Sequence, residues 1–96
     1  GANEGITRPV IVFANTSVVT VNNVASGDTI EVYHGDGTGT FGEGRTYINS
    51  AVASGNAVTV DISSAALSDG DWVTATRTNS NGSTSAFSQN VQPPWP

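Results

Sequence analysis

Ninety-six residues without a cysteine make one domain with one modest core, held by packing rather than by disulfides or thiolate-bound metal. Only 11% of the residues are charged, lysine is absent, and Arg8, Arg45 and Arg77 are scattered in a chain of net charge −5. This excludes a basic footprint for nucleic acid or anionic membranes, and no apolar run approaches the roughly 20 residues that span a bilayer.

Residues 1–8 are polar and glycine-containing and are expected to form a flexible arm. Pro9 to Ala14 is an unbroken apolar run, which Asn15 interrupts. Ser17 to Val24 is rich in β-branched residues and reads as a second strand. After a turn at Ala25 to Asp28, Thr29 to His34 alternates, with Ile30 and Val32 pointing the same way. The stretch from His34 to Gly44 carries too many glycines for a regular helix and reads as a long loop. Arg45 to Ala51 is a weaker strand, and Ala57 to Ile62 alternates again with Val58, Val60 and Ile62 on one face. Ser63 to Ser68 is helix-tolerant and is expected to make one short turn inside a crossover. Strands follow at Trp72 to Thr78 and Thr84 to Gln92, joined by a hairpin loop at Asn79 to Ser83 that contains the turn-forming pair Asn81-Gly82. Pro93-Pro94-Trp95-Pro96 is expected to end the ladder, because proline has no N–H to donate. The pattern predicts an all-β sandwich or small barrel of about seven short strands.

The segment from Ser68 to Ser88, with Asp69-Gly70-Asp71-Trp72-Val73-Thr74-Ala75-Thr76 at its head and Gly82-Ser83-Thr84-Ser85-Ala86-Phe87-Ser88 at its tail, resembles the last two strands of bacterial immunoglobulin-like domains. Gly27 to Tyr33 resembles an upstream strand of the same domains. The resemblance covers residues 17–92 and implies an immunoglobulin-like β-sandwich of antiparallel strands over 9–92, with a Pro-rich tail at 93–96. It also implies a module of secreted or surface proteins that serves spacing, adhesion or assembly. Arg77 stands where the pattern usually has Ala, and Asn79 where it often has the Asp that joins a calcium site in some relatives. The lysine-poor surface of Ser, Thr, Asn and Gly likewise resembles extracellular and cell-surface proteins.

No constellation for catalysis stands out, and the chain is expected not to be an enzyme. His34 is the only histidine, and no Gly-x-Ser-x-Gly elbow is present. No cofactor is expected. Asp36-Gly37-Thr38-Gly39 is reminiscent of calcium loops, so calcium stays open as an alternative, although the EF-hand pattern is absent and Asp and Gly also simply make turns.

The N-terminal run is the most informative feature. A strand with one solvated face alternates apolar and polar residues, whereas Val10, Ile11, Val12 and Phe13 do not. Both faces are then covered, or the strand switches between sheets, or it leaves to complete a neighbour's sheet. Trp95, set between prolines, is either disordered or inserted into a neighbour. These five residues are the candidate assembly contacts. The chain is expected to be an extracellular structural module, a filament or surface-layer subunit joined by addition of the strand Val10 to Ala14 to an open sheet edge of the next copy. Copies of the chain or neighbouring extracellular domains are the expected partners. The alternative is a carbohydrate-binding or adhesion module in which Trp72, Tyr33 and Tyr47 stack on a polysaccharide.

Overall fold

The computed structural model describes residues 6–35, 44–68 and 70–95. Among the described residues six strands are formed: β1 (Val10–Ala14), β2 (Val18–Asn22), β3 (Thr29–Gly35), β4 (Gly44–Val52), β5 (Ala57–Asp61) and β6 (Val73–Thr78). They make two three-stranded antiparallel sheets, β1-β2-β5 and β4-β3-β6. The expected alternation holds where it was clearest. Val19, Val21 and Val60 of the first sheet meet Ile30, Val32, Val73 and Ala75 of the second, all fully buried. Ile62 and Val91 are also fully buried in this core. Asn15 ends β1 by accepting the N–H groups of Ser17 (2.7 Å) and Val18 (2.8 Å) on its side-chain oxygen, which turns the chain into β2.

The helix-tolerant segment supplies a single 3-10 turn, Ser63–Ala65. Asp61 starts it by accepting from the backbone N–H (2.8 Å) and hydroxyl (2.7 Å) of Ser63. These bonds hold its carboxyl below the ordinary carboxylate range.

The strand expected at Thr84 to Gln92 is not a regular strand, so the count is six rather than seven. The segment does run along β6, through bridges at Thr78–Thr84 and Val73–Val91. Between them the spacing is unequal. Arg77 O accepts from Ser85 N and Ala75 O from Ser88 N, so two steps on β6 face three on the other side. The returning N–H groups of β6 then find hydroxyls instead of carbonyls: Ala75 N–H donates to Ser88 Oγ (2.9 Å) and Arg77 N–H to Ser85 Oγ (3.1 Å). Serine at these places satisfies the buried backbone while breaking the ladder. Replacing Ser88, which is fully buried, by Ala leaves the Ala75 N–H without its acceptor. The expected cost is about 1–3 kcal/mol, read as a lower urea midpoint with unchanged slope. A loss below about 0.5 kcal/mol would show that another group takes the bond.

The outer boundaries also differ from expectation. Thr7 and Arg8, at the end of the expected flexible arm, are hydrogen-bonded to the side chain of Asn23. In the Pro-rich tail, Pro93 is buried and Trp95 exchanges two backbone bonds of 2.7 Å with Ala14. The prolines themselves add no donor, but the residue after them closes the sandwich by joining the edge of β1.

Candidate functional site

The apolar run of β1 is resolved by a bulge. Ile11 pairs with Val21 and Phe13 with Thr20, so Val12 is an extra residue with no partner of its own on β2. The extra residue resets the alternation: Ile11 and Ala14 point into the core, and Val10, Val12 and Phe13 all point outward. Of the five candidate assembly residues, Ile11 is therefore removed from the surface. It is 1% exposed inside its own core and offers nothing to a partner while β1 stays in place. The other four, Val10, Val12, Phe13 and Trp95, are each between 38% and 43% exposed.

Trp95 is held within the chain. Besides its bridge to Ala14, its indole N–H approaches Ile11 O at 3.3 Å, as does Gln89 Nε2. Its indole thus reaches along the open edge of β1, and because Trp95 pairs directly with the inward-facing Ala14, its side chain leaves the strand on that same side rather than with the outward row. The neighbouring strands differ: Thr20 of β2 and Thr59 of β5 present hydroxyls that bond each other at 3.0 Å. The outer face of this sheet is mixed across β2 (Val18, Thr20, Asn22) and β5 (Ala57, Thr59, Asp61) and apolar along β1.

The second candidate group lies on the other sheet. Tyr33 on β3 meets Tyr47 on β4 edge to face at 5.9 Å, and Phe87 likewise at 5.4 Å. Tyr47 is half exposed, while Tyr33 is partly covered. Phe87 was not singled out from sequence, and no local signal announces it, because its place against Tyr33 follows from the unequal spacing along β6. Trp72 is partly buried at the end of β3, where its carbonyl accepts Gly35 N–H at 2.8 Å. The ring contacts of this face join Tyr33 to Tyr47 and Phe87 and do not include Trp72.

Burial raises the pKa of Tyr33 above its ordinary value of 10.0, and the negative charge of Glu31 adds to this. Folded Tyr33 keeps its proton to higher pH than the unfolded chain does. The stability this contributes is complete below pH 10.0 and is lost as pH rises through the folded value. Tyrosinate absorbance should show one tyrosine of the native chain titrating late, and Tyr33→Phe should remove that late step. If Tyr33→Phe leaves it in place, the burial argument fails.

His34 Nε2 lies 3.7 Å from the Asp71 carboxylate, both partly solvent-exposed. The other oxygen of Asp71 accepts Ser68 N–H at 2.9 Å, which closes a turn. Among the described residues, no group of three His, Cys, Asp or Glu could hold a metal ion. Asp36 to Glu43, which includes the calcium-like stretch and Phe41, lies outside the described residues, as does Asp69.

No family model matches the sequence, and no curated protein matches it. Solved structures do. The BSP domain of a biofilm associated protein superposes with a TM-score of 0.66 at 19% identity, over 91% of this chain and 14% of the other. Module A71 of human cardiac titin superposes with a TM-score of 0.53 at 16% identity, over 88% of this chain and 86% of the module. The chain thus corresponds to a small part of the first protein and to nearly the whole of the second. Two packed antiparallel sheets, an irregular seventh segment along β6 and these superpositions together make the chain an immunoglobulin-like β-sandwich domain.

Proposed function

We propose that this chain is a non-catalytic module of an extracellular or cell-surface assembly, and that it joins copies of itself through β1. The observation that carries the reading is the outward row Val10, Val12 and Phe13 on the edge strand of the sheet, each about two-fifths exposed. An apolar row of this kind is costly to leave in water and suits a partner surface. The likeness to a domain of a biofilm associated protein supports a surface role, as does the lysine-free composition.

Two modes of joining are distinguishable on energetic grounds. If β1 left to complete a neighbour's sheet, the chain would give up its pairing with β2 and the burial of Ile11 and Ala14. A buried aliphatic side chain of the size of Ile11 is worth about 1.5–3 kcal/mol, so the departed strand must recover this in the partner. Docking by the outer face keeps these contacts and adds the burial of Val10, Val12 and Phe13. Face docking is the mode the geometry favours, and strand exchange is the alternative that a deletion tests. Light scattering across a concentration series, with negative-stain electron microscopy, is the experiment. Regular oligomers or filaments support the reading, and a monomer near 9.8 kDa at every concentration overturns it. The polysaccharide reading has less behind it, since Trp72 stands outside the ring contacts that join Tyr33 and Tyr47.

A further inference from the structure

Arg77 lies where three parts of the chain converge. Its Nη1 donates to Asp28 Oδ2 at 2.8 Å, in the turn before β3. Its Nε donates to Thr7 O at 2.9 Å and its Nη2 to Thr7 Oγ1 at 3.1 Å. One planar guanidinium therefore joins the end of β6, the β2–β3 turn and the segment before β1, which only a fork of several donors can do. Asn23 adds a second fastening, with Nδ2 at 3.0 Å from Thr7 Oγ1 and 2.8 Å from Arg8 O. Asn23 can reach both because its backbone is left-handed, at φ 62°.

We propose that Arg77 is a latch: it fixes residues 6–8 against the end of the sandwich and so locks the upstream end of β1 in its own sheet. The downstream end is held by the Ala14–Trp95 bridge. Between the two fastenings lies a strand that would otherwise be an exposed edge with a bulge in it. The ion pair within the latch is largely out of water, with Asp28 4% and Arg77 15% exposed at the side chain, so salt screens it weakly. The latch fixes Thr7 and Arg8 at the end of the sandwich, and release of β1 from its upstream end requires opening it. This holds whatever the outer face of β1 binds.

The test is 15N relaxation on the full chain, native and Arg77→Ala. In the native protein, Thr7 and Arg8 are expected to be as ordered as β1, with order parameters of about 0.85. In Arg77→Ala, Ile6, Thr7 and Arg8 should fall below about 0.6 while β2 to β6 keep their native values. An arginine that merely stabilised the fold would lower the denaturation midpoint and leave these three residues as ordered as before. That result overturns the proposal, as does a native segment already loose. Should Arg77→Ala fail to fold, Arg77→Lys keeps the positive charge beside Asp28 and removes the fork that reaches Thr7. Loosening of Thr7 and Arg8 in that variant supports the latch, and its absence overturns it.

Discussion

Replacing Val12 and Phe13 together by Asp is expected to abolish self-association and leave the sandwich folded. Both side chains point away from the core and are about two-fifths exposed, so the folded monomer gives up only their partial cover, about 1–2 kcal/mol each. The partner surface loses much. Burying the remaining exposed part of each side chain is worth about 1 kcal/mol, and each new carboxylate adds a desolvation cost of similar size or more. The sum exceeds about 2.8 kcal/mol, which weakens association at least 100-fold. Sedimentation or light scattering would read this as a monomer at concentrations where the native chain forms oligomers, with a urea transition that is lowered but still cooperative as the control. A double variant that assembles like the native chain would remove β1 from the interface.

Deleting residues 1–14 separates face docking from strand exchange. The deletion removes Ile11 and Ala14 from the core, the bridge to Trp95 and the whole pairing of β1 with β2. Under face docking the deleted chain is expected to unfold or aggregate without order, because its first sheet has lost an edge strand. Under strand exchange it should instead be a stable acceptor, able to take up a peptide spanning residues 9–14. Binding of that peptide with recovery of the native urea midpoint would therefore favour exchange over docking.

What was legible in the sequence depended on whether the signal was local. The alternating strands were read correctly because period-two burial is written into adjacent residues, as in Ile30 and Val32 or Val58, Val60 and Ile62. The run from Val10 to Phe13 gave the right warning for a different reason. Failure to alternate marked an apolar outer face, but the cause is a bulge at Val12, and a bulge depends on the partner strand. The seventh strand misled because Thr84 to Gln92 has strand composition. Its irregularity comes from Ser85 and Ser88 replacing carbonyls as acceptors, which only the register with β6 reveals. Arg77 stood out as a departure from the pattern of similar domains. Its partners, Thr7 and Asp28, lie 70 and 49 residues away in sequence, and no local pattern announces them. Trp95 was visible as an oddity, but its bridge to Ala14 spans nearly the whole chain.

Asp28→Ala should be among the most damaging polar substitutions in this domain. Asp28 Oδ2 accepts from Arg77 and, at 2.9 Å, from the backbone N–H of Ala25, so one carboxylate both neutralises a guanidinium and closes the β2–β3 turn. Taking it away leaves the charge of Arg77 with only the oxygens of Thr7 as neighbours from the latch. Breaking a buried pair from one side costs about 3–5 kcal/mol, because a desolvated charge loses its counterion. Arg77 keeps some contact with water, which places the expectation near about 3 kcal/mol. A domain of this size has about 5–15 kcal/mol in total, so the variant should still fold but unfold at a much lower urea midpoint. Asp28→Asn retains the acceptor for Ala25 N–H and loses only the charge, and should fall between the native chain and Asp28→Ala. If Asp28→Ala costs less than about 1 kcal/mol, the pair behaves as an exposed salt bridge does. The junction would then rest on Asn23 and on the packing of Pro9, which is buried directly ahead of β1. The ordering of the native chain and the two variants thus decides whether charge or packing holds the entry of the chain into its sandwich.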